Sequence, residues 1–127
     1  MDKTLAVIAN TILFFLSVVA AAYAAQYSLP VALLLLIASL DPLLDVHSYL
    51  TTGRPNRGIL QLVTETLSFS VAAMMIPFSL LYFSFGYALL PLVLIAFSSL
   101  CIGISIADAR AALSSAEAAG TPYLGER

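Results

Sequence analysis

The chain has 127 residues, of which 61% are hydrophobic and only 9% charged, whereas a typical soluble domain carries roughly 25% charged residues. So little polar side chain cannot cover a water-facing surface; the lipid bilayer is the expected solvent, and soluble enzymes, nucleic-acid readers and disordered regulators are excluded. Five Lys and Arg against seven Asp and Glu leave a net charge of -2, too small to steer a polyionic partner.

A helix crosses the hydrocarbon core with about 20 predominantly apolar residues, and four stretches are long enough. The first covers about residues 4–25, through Leu13-Phe14-Phe15-Leu16. Lys3 in front of it and the Ala-rich end from Ala20 to Ala25 also resemble a cleavable secretory signal. An apolar length of about 20 residues favours a retained membrane helix.

The second stretch, about 28–50, opens with the apolar block from Pro30 to Leu40 and carries Asp41, Pro42 and Asp45 in its second half. Pro42 has no backbone N–H, which frees the carbonyl of Ala38 and predicts a kink. The third, about 58–83, is polar in its first third and apolar from Val71 to Leu81 apart from Ser79. The fourth, about 86–113, is apolar from Gly86 through Ile106 and continues as a cytoplasmic extension to about Ala119, where Gly120 and Pro122 read as its stop. Residues 1–119 are thus expected to form one four-helix transmembrane domain, with 120–127 as a short cytoplasmic tail.

Basic residues in short loops favour the cytoplasmic side. With four crossings, the N-terminus, the 51–57 loop and the C-terminal tail share one face, which then holds all five basic residues: Lys3, Arg54, Arg57, Arg110 and Arg127. The opposite loops, around Gln26-Tyr27 and Ser84-Phe85-Gly86, carry no charge. The pattern predicts an all-α, up-down-up-down bundle in the cell membrane with both termini cytoplasmic. There is no Trp, so Tyr23, Tyr27, Tyr82 and Tyr87 are expected to form the outer interfacial belt and Tyr49 the inner one.

Polar residues at membrane depth carry the functional information, because a charge in hydrocarbon costs several kcal/mol and must face protein or water. At about 1.5 Å per residue, Asn10 and Glu65 lie about 10 Å in from the cytoplasmic helix ends, Asp45 about 7 Å and Asp41 about 13 Å. Ser105 reaches the same layer. Asp41 and Asp45 share a face that continues to Ser48 and Tyr49; Gln61, Glu65 and Ser68 form a stripe on the third helix, and Ser98, Cys101, Ser105 and Asp108 one on the fourth. Asn10 and Ser17 do the same on the first. Cys101 is the only cysteine, which excludes an intrachain disulfide and a Cys-based zinc site and marks it as an interior packing residue.

The hydroxyls and Asn10 read as interhelical hydrogen-bond glue, with Thr64, Thr66, Ser68 and Ser105 as members and Ala72, Ala73 and Gly103 as small residues that permit close approach. Leu94 is placed toward lipid or in neutral packing. Asp41, Asp45 and Glu65 have too few counter-ions for that reading to suffice. A salt-bridged or interface-buried structural role accounts for them in part; as unpartnered buried carboxyl groups they also suit a proton carrier or cation site, with Asp41 first, Glu65 second and Asp45 third. His47 points away from the Asp41/Asp45 face and reads as interfacial. A magnesium pair at Asp41-x-x-x-Asp45 lacks any accompanying Gly-rich or nucleophile motif. Neither a catalytic residue nor a metal or cofactor is expected.

Four short helices are expected to enclose too little interior for three acids. The expected function is therefore a small integral-membrane subunit of a larger assembly, such as an accessory subunit of a respiratory or other energy-converting complex. The alternative is a homo-oligomeric proton or cation channel or transporter. Its partners would be lipid and other membrane subunits or copies of itself, with no nucleic acid.

Overall fold

The computed structural model describes residues 3–53 and 58–119. They are helical apart from short connections: α1 (Lys3–Ala24), α2 (Leu29–Ala38), α3 (Leu40–Thr52), α4 (Ile59–Ser84) and α5 (Leu89–Ala119). Taken with α2 and α3 as one span, four helices are long and apolar enough to cross a membrane: Lys3–Ala24, Leu29–Thr52, Ile59–Ser84 and Leu89–Arg110.

Local chemistry sets the joints. Ser28 caps α2 by accepting the N–H of Val31 at 3.5 Å, with Pro30 in the first turn, where a missing N–H costs nothing. The helix is then interrupted at Ser39, three residues before Pro42. The proline ring cannot coexist with an undisturbed carbonyl at Ala38, so the expected kink is present as a break between α2 and α3. Gly53 ends α3 with φ 74°, its N–H on the carbonyl of Tyr49. That left-handed conformation suits glycine.

The spans form a four-membered ring in cross-section. The α1 helix packs on α2, α3 and α5; α4 packs on α5, α2 and α3. Among the described residues no backbone contact joins the diagonals α1 to α4 or α3 to α5. Residues 25–28 and 85–88 connect spans at the same end, where Tyr27 stacks edge-on against Tyr87 at 4.9 Å. Tyr23 and Tyr82 extend that contact on either side, at 5.6 and 5.9 Å, into a chain of four rings.

The core has two halves. Near the tyrosine end it is apolar and close-packed, with Leu13, Leu35, Met75, Leu94 and Phe97 at 1% exposure or less. Toward the other end it holds Asn10, Asp41, Asp45, Gln61, Thr64 and Asp108, all buried. The outside is apolar, with Phe15, Leu80, Phe83 and Leu92 among the most exposed side chains, the arrangement lipid requires.

Several expected positions change. Leu94 is fully buried, because it lies on the α5 face that also carries Leu90, Phe97, Cys101 and Asp108. Thr66, Ala73 and Gly103 are exposed, and a side chain at Gly103 would meet nothing within 4 Å. Of the small residues named for close approach, Ala72 alone is buried. Small size makes a tight crossing possible without saying which face will use it.

Candidate functional site: a buried carboxyl cluster

Four acidic side chains from three spans converge in the polar half: Asp41 and Asp45 from α3, Glu65 from α4 and Asp108 from α5. Asp41, Asp45 and Asp108 are 2%, 1% and 1% exposed, and Glu65 is half-buried at the margin. Within one chain the three aspartates are already buried, whereas Glu65 stands at the edge of the bundle. Long side chains such as Tyr49 cross the ring where the backbones do not touch.

Asp108 is the hub. Its Oδ1 accepts the Tyr49 hydroxyl at 3.2 Å and its Oδ2 accepts Asn10 Nδ2 at 3.4 Å. One carboxyl group thus ties α5 to α3 across the diagonal and to α1 beside it. Asn10 spends its second N–H on the carbonyl of Ala6 at 3.0 Å, while its Oδ1 has no partner. Tyr49 is 2% exposed, so it belongs to the cluster rather than to the inner interfacial belt.

Asp41 Oδ1 stands 3.1 Å from Thr64 Oγ1, which is also 3.0 Å from the Leu60 carbonyl and 3.3 Å from that of Gln61. A hydroxyl has one proton to give, so Thr64 satisfies Asp41 only by leaving its own helix backbone. Glu65 Oε2 accepts Gln61 Nε2 at 2.8 Å, and its Oε1 is buried without a partner.

Asp45 is the anomaly. It faces the Asp108 carboxyl group, yet among the described residues neither of its oxygens accepts a hydrogen bond from a donor. Carboxylates are acceptors only, and an isolated buried one is expensive. Two carboxyl groups can pair when one carries a proton and donates it to the other.

The hydroxyl ladder flanks this cluster. Ser68 Oγ lies 3.0 Å from Cys101 Sγ, joining α4 to α5, and Ser79 donates to the Pro91 carbonyl at 3.0 Å further along the same pair. Ser17 bonds back to Leu13 within α1 at 2.8 Å. Ser98 and Ser105 are buried with unpartnered hydroxyls. A groove of about 270 Å³ between α4 and α5, lined by Glu65, Phe69, Ser70, Ser105 and Ile106, opens toward the outside at the level of the acids.

His47 is exposed and takes no part. Among the described residues no group of three His, Cys, Asp or Glu is placed to hold a metal ion. Lys3 and Arg110 are exposed; Arg54, Arg57 and Arg127, expected on the same face, lie outside the described residues, as does the 120–127 tail. Asp108 and Tyr49 are the members that the sequence-based candidate set of Asp41, Asp45, Glu65, Asn10 and Ser105 did not include. Their signal was present in the spacing of Ser98, Cys101, Ser105 and Asp108, and in Tyr49 one helical turn after Asp45.

The chain matches no known protein family, no characterised protein and no solved structure.

Proposed function

We propose that this chain is a multi-pass membrane protein that handles protons through the Asp41, Asp45, Glu65 and Asp108 cluster, as a proton-coupled transporter or channel component. The observation that carries this reading is the Asp45–Asp108 contact, in which a buried acid with no donor among the described residues faces a second acid. A shared proton resolves that contact, and Asp41 and Glu65 beside it supply further carboxyl groups that can take up a proton. In the orientation favoured by Lys3 and Arg110, the cluster occupies the cytoplasmic half. The apolar plug of Leu13, Leu35, Met75, Leu94 and Phe97 separates it from the outer end. A gated carrier fits such a barrier better than an open pore.

Reconstitution into liposomes with an enclosed pH-sensitive dye tests the proposal. An imposed proton gradient should collapse faster with the parent protein than with Asp108→Asn. Equal rates for the two would contradict it.

A second reading is favoured by the groove at Glu65, which lies open on the outer surface of the bundle. A neighbouring membrane subunit seated there would make the chain an accessory subunit of an energy-converting assembly. In that case the isolated protein is inert in liposomes and co-purifies with its partner under mild solubilisation.

A further inference from the structure

We propose that the interior of the bundle binds one small monovalent cation such as Na+ between α1 and α3, held by Asn10 Oδ1 and a carboxyl oxygen of Asp45 beside Asp108. The inference rests on the shared proton proposed above for its count of charge, and it adds a second occupant to the same cluster.

Three features specify the ligand. First, Asn10 is fully buried and its amide is fixed. Its Nδ2 donates to the Ala6 carbonyl at 3.0 Å and to Asp108 Oδ2 at 3.4 Å, while its Oδ1 has no hydrogen-bond partner. Turning the amide over would set its oxygen against two acceptors, so the oxygen is the atom left free, within one amide group of the Asp108 carboxyl. A buried carbonyl oxygen without a partner is costly, and a cation supplies what it lacks.

Second, Asp45 is 1% exposed and stands against the same Asp108 carboxyl, on a helix that packs against α1. A proton shared with Asp108 accounts for one of its oxygens. The other has no donor among the described residues. Two free oxygens from neighbouring helices thus flank one carboxyl group. Amide and carboxyl oxygens suit a hard ion.

Third, charge selects the class of ion. Asp45 and Asp108 carry a single negative charge when they share one proton, and a monovalent cation balances it. Calcium and magnesium call for more oxygen ligands and carboxylate charge, and among the described residues no group of three acids is placed to hold a metal ion. Asn10, Asp45 and Asp108 are all 1% exposed or less, so the position admits a small ion without its water and excludes an organic cation such as choline.

The test is equilibrium dialysis of the full chain, purified in detergent and Na+-free buffer, against radioactive 22Na+. Saturable binding of one ion per chain is expected, displaced by unlabelled NaCl and not by choline chloride at the same concentration. Asp45→Asn removes the charge and should weaken binding by about tenfold or more, because that charge acts through a low-dielectric interior. Asn10→Leu removes the amide oxygen and should weaken it to a similar extent, whereas His47→Gln on the exterior should leave it unchanged. A monodisperse size-exclusion profile establishes that each variant is folded. Absence of saturable binding to the parent would overturn the proposal, whatever the variants do. So would binding retained in both Asp45→Asn and Asn10→Leu, or equal displacement by choline, which would mark the uptake as diffuse charge attraction. The infrared band of a protonated carboxyl group, recorded in the same Na+-free buffer, reads the shared proton separately. The band without 22Na+ binding leaves the proton reading standing and removes the cation site; 22Na+ binding that depends on Asn10 and Asp45 without the band does the reverse.

Discussion

The Tyr49 hydroxyl reaches Asp108 Oδ1 at 3.2 Å, joining two spans 59 residues apart whose backbones do not touch. This bond holds the hub of the cluster from across the bundle. Removing the hydroxyl leaves Asp108 Oδ1 without the donor that α3 supplies from Tyr49, while Asn10 still holds Oδ2. Tyr49→Phe is therefore expected to destabilise the solubilised protein by about 1 kcal/mol, the typical worth of a hydrogen bond inside a membrane bundle. Thermal unfolding followed by circular dichroism reads the change. A midpoint equal to that of the parent would show that the bond contributes nothing to the fold.

Packing in the apolar half gives a second expectation. Leu94 is fully buried, while Leu92, two residues earlier on α5, is 65% exposed. Leu94→Ala opens a cavity and should cost about 2 kcal/mol or more, whereas Leu92→Ala faces lipid and should change stability by less than about 0.5 kcal/mol. The comparison is made in one detergent by thermal unfolding. The reverse order would mean that the α5 face is assigned incorrectly.

Much of this architecture is legible in the sequence, and the parts that are not have physical reasons. Four apolar stretches of spanning length stand out because lipid demands a length that few soluble helices meet. The Asp41/Asp45 face and the outward His47 follow from helical spacing. Leu94 does not, because a membrane helix is apolar on every side and the contrast that marks the core of a soluble helix disappears. Thr66 and Gly103 mislead for the same reason. Asp108 stands on the inward stripe of the fourth helix, but spacing along one helix does not show that its carboxyl group meets Tyr49 and Asn10 from two other spans. Tyr49 resembles an interfacial residue for as long as its partner on α5 is unknown.

Topology supplies a third prediction. In a Cys101→Ser background, which keeps a hydroxyl beside Ser68, single cysteines at Gln26 and Ser84 should be labelled from the outside by a membrane-impermeant thiol reagent. A cysteine at Thr51, exposed at the opposite end, should be labelled only after the membrane is opened. The basic residues at that end favour the cytoplasmic side. Labelling of all three from the same side would exclude four crossings.

The most direct measurement of the central claim is the infrared spectrum of the purified protein in the carbonyl-stretch region of protonated carboxyl groups, recorded in H2O and in D2O. If Asp45 and Asp108 share a proton, the parent shows such a band and it shifts in D2O. Asp45→Asn should remove or displace that band while leaving the fold intact, because the amide keeps the shape of the acid and brings its own donor to Asp108. A parent spectrum without the band, or one whose band is unaltered by both Asp45→Asn and Asp108→Asn, would contradict the account.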